Sequence, residues 1–210
     1  MTLSQILQRV YAIVGNDVNR KRMYFTDADI IQLVNQGIRL VCLVGKCYQR
    51  AYTATLLNTQ SAYTIGSSPL TSMSDCIDVI TVYNTASGVA LNQISPKDAG
   101  KVFLITDDPM WWYVIGNVFN ILPAPVTGTG KLGWTLVYNA LSADVGSGAE
   151  IPSLDQQYHM ALVDFAVGQI YNRLGNAALG QFYMQQFAMV TNVGQEAFKQ
   201  AFLEKTEVQK

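Results

Sequence analysis

Apolar residues at Leu3, Ile6, Leu7, Val10 and Val14 recur at helical spacing, and Thr2 with Gln5 places a capping-box pair just before them. The run predicts a first helix that closes at Gly15. After the polar stretch N-D-V-N-R-K-R, Thr26 with Asp29 repeats the box, and Ile30, Leu33, Val34, Ile38, Val41 and Val44 line one face of a second helix ahead of Gly45. The connection predicts two antiparallel helices. From Tyr48 the pattern shortens to β-branched and aromatic runs at Tyr52–Leu56, Tyr63–Ile65 and Val79–Tyr83, punctuated at Asn58, Gly66 to Pro69, Ser87-Gly88 and Pro96. Gly116-Asn117 stands between two apolar arms, a hairpin signal over Val114–Phe119. A further strand, Trp134–Leu141, follows P-A-P-V-T-G-T-G-K.

Helical spacing then returns. Ser153 with Gln156 gives a third capping-box pattern, and Leu154, Tyr158, Leu162, Phe165, Ala166 and Ile170 carry the apolar face to Gly175. From Ala177 to about Lys205, Phe182, Phe187, Val190, Phe198 and Phe202 sit among Gln, Ala and Met, predicting a long fourth helix with weak points at Gly180 and Gly194. The expected fold class is α+β. An antiparallel helical bundle of four main helices, discontinuous over 1–47 and 152–210, holds an inserted small antiparallel β-sandwich-like domain over 48–151.

Composition changes this picture in one respect. Charged residues are only 14% of the 210, against roughly 25% in an ordinary soluble domain. Such a surface suits either an oligomer whose neighbours cover apolar area, or a mildly hydrophobic monomer. The net charge of -1 argues against a protein devoted to gripping phosphate backbones. Its distribution is uneven: Arg9, Arg20, Lys21, Arg22, Arg39, Lys46 and Arg50 face only Asp17, Asp27 and Asp29 in the first fifty residues. No basic stretch precedes apolar residues as in a secretory signal, so a cytoplasmic place of synthesis is expected. The uncharged Met110 to Gly130 contains Asn117, Asn120, Pro123 and Pro125, which argue against a membrane span. Three cysteines in a reducing compartment predict no disulfide framework.

Candidate chemistry is sparse. Gly128, Gly130 and Gly133 match G-x-G-x-x-G, but a strand follows where dinucleotide binding requires a helix, and Leu132 stands where a P-loop would hold Ser or Thr. Cys42 and Cys47 lack metal-ligand spacing, and a zinc site would need Cys76 and His159 to converge on them; buried thiols are the simpler reading. His159, inside the third helix, reads as a packing or interface residue. Asp107, Asp108, Trp111 and Trp112 could form a carbohydrate-binding or hydrolytic site, although adjacent residues on an extended chain point in opposite directions. No catalytic residue, metal ligand or cofactor is expected. Arg20, Lys21 and Arg22 read as a solvated loop or as a contact for DNA or an acidic neighbour. Phe182, Phe187, Phe198 and Phe202 are expected to supply an intersubunit or partner contact.

The order of these elements resembles the head-to-tail adaptor proteins of tailed bacteriophages that carry a β insert. The resemblance rests on T-D-A-D-I-I-Q-L-V-N-Q-G, on A-Y-T-I-G-S-S-P followed by D-C-I-D-V-I-T-V-Y-N, on W-W-Y-V-I-G-N-V-F-N-I-L-P-A-P, on L-V-Y-N and on I-P-S-L. It implies a structural virion protein without catalysis. It further implies a dodecameric ring beneath the portal protein, joined to a tail or nozzle protein, with packaged double-stranded DNA crossing the lumen at the neck. Asn35 and Gly37 match the polar and small positions of the second helix. Leu122, Pro123 and Pro125 match the exit from the hairpin, and Ile151 and Pro152 the return to the helical frame. The rival readings are a carbohydrate-binding or hydrolytic tail component and another neck or tail-ring protein.

Overall fold

A computed structural model describes residues 1–18, 25–101, 108–125, 133–148 and 152–191. The chain is α+β, and backbone proximity divides it into two compact units, Met1–Tyr48 with Leu141–Lys210, and Gln49–Ala140.

The helical unit contains α1 (Leu3–Val18), α2 (Asp27–Leu43), α3 (His159–Arg173) and α4 (Ala177–Thr191). The two N-terminal capping boxes form as the sequence suggests. Thr2 N donates to Gln5 Oε1 at 2.9 Å and Gln5 N to Thr2 Oγ1 at 3.3 Å. Thr26 and Asp29 make the same exchange at α2, and the hydrogen bonds from Thr26 hold the Asp29 carboxyl below its ordinary range. Two boundaries differ from expectation. Gly15 does not stop α1, which runs on to Val18, since one helical glycine costs only about 1 kcal/mol. Ser153 caps nothing in α3. Tyr158 N instead donates to Asp155 O at 2.9 Å, and a 3-10 turn over Gln156–Tyr158 leads into α3 at His159. That turn meets early amides which a side-chain cap would otherwise serve.

The core of this unit is α3, on which α1, α2 and α4 all pack. Ala161, Leu162, Val163, Phe165, Ala166, Val167, Ile170 and Tyr171 are buried, so α3 is covered on most of its circumference. Close approach depends on glycines. A Cβ on Gly37 of α2 would lie 3.1 Å from Phe165 Cδ1 and 3.3 Å from Leu162 Cδ2. One on Gly168 would lie 2.9 Å from Met184 Cγ of α4. Residues 141–148 run along the helices as a strap. Asn35 donates from Nδ2 to Val145 O at 3.0 Å and accepts from Val145 N at 2.9 Å. Arg39 pairs with Asp144, Ser142 N donates to Cys42 Sγ, and Ser4 N donates to Gly148 O.

In the β unit, β1 (Gln49–Thr55), β3 (Cys76–Asn84) and β7 (Gly133–Ala140) form an antiparallel sheet in the order β1-β7-β3. β2 (Ala62–Thr64), β4 (Asn92–Gln93), β5 (Trp111–Ile115) and β6 (Val118–Leu122) form the second sheet, in the order β2-β6-β5-β4. The expected hairpin is present: β5 pairs β6 across Gly116-Asn117, with Gly116 at φ +59° supplying the left-handed first turn position. The second sheet is not wholly antiparallel, because the two-residue β4 pairs in parallel with β5. A strand that short leaves no alternation to read. Central β7 is buried almost throughout, and Thr135 Oγ1 lies 3.0 Å from both Thr53 Oγ1 and Thr85 Oγ1, so the hydroxyls satisfy one another. Tyr63, Trp112 and Phe119 are fully buried, with ring centroids 6.5 and 6.3 Å apart about Phe119. No helix among the described residues is long and apolar enough to cross a membrane.

Candidate interaction surfaces

α4 carries no charged residue along its 15 positions. One face follows Gly180, Met184, Phe187 and Thr191, helical steps of four, three and four that point it at α3. Phe187 is fully buried, its ring centroid 5.1 Å from that of Phe165. The expected contact aromatic at this position is therefore a residue of the protein's own core. Thr191 Oγ1 donates to Phe187 O at 2.8 Å, and Cys47 Sγ reaches Thr191 O, which fastens this end of α4 beside the end of α2.

The opposite face of α4 is also apolar. Phe182 is 50% exposed, Met189 68% and Val190 45%, interleaved with exposed Gln181 and Gln185. Phe182 is held edge-on to Tyr183, which stacks on Tyr171 of α3, so its ring is presented from a rigid base. Of the four predicted contact aromatics the structure thus presents Phe182 and buries Phe187, while Phe198 and Phe202 lie outside the described residues. Met189 was not singled out in the sequence. Its position seven residues beyond Phe182, two helical turns along the same face, was the available signal.

Arg20, Lys21 and Arg22 also lie outside the described residues. Their flanks are fixed: Tyr11 of α1 donates its hydroxyl to Asp27 in the first turn of α2. Among the described residues of the aromatic–acid cluster, the two tryptophans do not share a face. Trp112 is buried against Phe119 while its neighbour Trp111 projects from the other face of β5, so the two cannot form one stacking platform. Asp108 is exposed, and Asp107 lies outside the described residues.

Of the other candidate groups, Cys42 is buried as expected for a buried thiol, whereas Cys47 and Cys76 are half-buried. His159 is buried; Nε2 donates to Leu154 O at 2.9 Å, leaving Nδ1 to accept from the Met1 amine at 2.6 Å. Burial pushes the Cys42 thiol up, and burial with Asp78 and Asp75 raises Cys76 to about 11, which keeps both protonated at neutral pH. Among the described residues no three His, Cys, Asp or Glu side chains gather as metal ligands. Asp164, on α3, was not anticipated. Burial raises it to about 6, and it has no hydrogen-bond or ion-pair partner among the described residues.

The family model described as SU10 adaptor protein matches residues 1–205. The chain belongs to this family. It is a phage head-to-tail adaptor, a structural virion protein of the head–tail junction that associates with head and tail components. No curated protein matches the chain.

Proposed function

We propose that the adaptor forms a closed ring of twelve copies beneath the portal, linking head to tail around the DNA channel. Its four helices act as an antiparallel bundle in the ring wall, and the β unit forms a separately folded insert. The observation that carries this reading is α4. A helix without charge and with apolar residues on both faces belongs in the interior of something larger, yet among the described residues only one face is covered. For an adaptor that associates with head and tail components, the covering surface is protein. The outer face of α4, with Phe182 at its centre, contacts the neighbouring copy. Phe198 and Phe202 continue the contact surface toward the neighbour or the portal. Arg20, Lys21 and Arg22 face the lumen or the portal, where a polyanion or an acidic surface would favour a basic loop in a charge-poor chain.

Negative-stain imaging of the purified protein, alone and mixed with portal rings, tests this proposal. Twelvefold rings that seat on portals are expected. Portal rings left bare at micromolar adaptor, with no ring of adaptor alone, would refute it. Changing all three basic residues to Ser should weaken seating or DNA retention without altering thermal stability.

A further inference from the structure

A closed ring is built from heterologous contacts: one surface of each copy meets a different surface of the next. The outer face of α4 therefore needs a complement elsewhere on the same chain. On the helical unit, α1 offers one. Its inner face, Leu3, Ile6, Val10 and Val14, is spent on the core. Its outer face bears an open groove lined by Met1, Gln5, Gln8, Arg9 and Ala12. Here the small Ala12 leaves a depression between longer neighbours, the relief into which the side-chain ridge of a second helix packs.

The chemistry of the two faces also agrees. Gln5 and Gln8 on α1 and Gln181 and Gln185 on α4 are exposed amides able to donate to and accept from each other. Of the two charged groups at the α1 groove, the Met1 amine is already engaged by His159 Nδ1, and Arg9 rests its Nη1 on Met160 Sδ with no carboxylate partner among the described residues. Glutamine carbonyls can satisfy its N–H groups without introducing a buried ion pair.

We infer that the outer face of α4, centred on Phe182 and Met189, docks into the α1 groove of the adjacent copy. This rests on the ring reading and names its interface: each copy gives α4 on one side and receives on α1 at the other.

Paired cysteines in the full-length protein test the arrangement. In a background carrying Cys47→Ser and Cys76→Ser, mild oxidation of a chain with both Gln8→Cys and Gln185→Cys should give a ladder of covalent species climbing toward the ring's copy number, while each single variant gives none. Phe182→Asp should raise the concentration for half-assembly by about thirtyfold, the value for losing a central hot spot of about 2 kcal/mol, with the melting temperature of the monomer unchanged. Cross-linked dimers from Gln185→Cys alone would mean that α4 meets α4 and would overturn the inference. Rings that form with no ladder and that tolerate Phe182→Asp would overturn this interface while leaving the ring intact. A chain that neither self-associates nor seats on portals would overturn both.

Discussion

Replacing Phe187 by alanine distinguishes a core aromatic from a contact aromatic on the same helix. Phe187 has no exposed surface, and its ring sits 5.1 Å from Phe165. Truncation therefore removes a whole buried ring and leaves a cavity on the α3 side of α4. Phe→Ala changes in cores cost about 3–5 kcal/mol. In a chain of this size each kcal/mol moves the melting temperature by about 2–4 °C, so a drop of roughly 6–20 °C is expected. Phe182, 50% exposed and touching Tyr183 by its edge, should lose at most about 0.5 kcal/mol on the same change. Thermal melts followed by circular dichroism at low concentration, where association does not contribute, read the difference directly. Sedimentation at high concentration should show the reverse order, with Phe182→Ala the more damaging to assembly. The reasoning is refuted if Phe187→Ala melts within about 2 °C of the parent, since the inner face of α4 would then not be packed on α3.

Two further changes probe the frame. Asn35→Ala would leave the buried Val145 amide and carbonyl without the partners that hold residues 141–148 to α2. It should cost about 1–3 kcal/mol in urea unfolding and accelerate hydrogen exchange at Val145; unchanged exchange there would contradict it. Asp164→Asn should stabilise the protein at neutral pH. The folded pKa, raised to about 6 from 3.8 by burial, means that folding takes up a proton between those values. Stability from this group is thus lost as pH rises through about 6 and is restored below about 4. The full shift would correspond to about 3 kcal/mol, and solvent access to this half-buried group reduces the expected gain to about 1 kcal/mol. Melting temperatures of parent and variant should converge as pH falls from 7 to 4, and parallel curves would refute the assignment.

What the sequence determined by itself is local. Two capping boxes, the apolar stripes of α1 and α2, and the Gly116-Asn117 turn are each satisfied within a few residues, so their chemistry acts before any tertiary contact. The α+β class was legible for the same reason, because periods of 3.6 and 2 are properties of short segments. The resemblance to the phage adaptors was legible as well, and it points to the family that the match over residues 1–205 establishes. The tertiary structure decided which side of each element is used. Nothing in the spacing of α4 tells Phe187 from Phe182, since apolar residues stand on both faces of the helix and only the position of α3 turns one inward. The parallel pairing of β4 depends on where the chain returns after its bridge to β3, a long-range event with no periodicity of its own. The strap along α2 is the same kind of case. Asn35 binds residue 145 because folding brings it there, and a polar side chain in an apolar stripe does not name its partner. Sidedness is set by what a segment meets, and a helix or strand meets its neighbours only after the whole chain has chosen its packing.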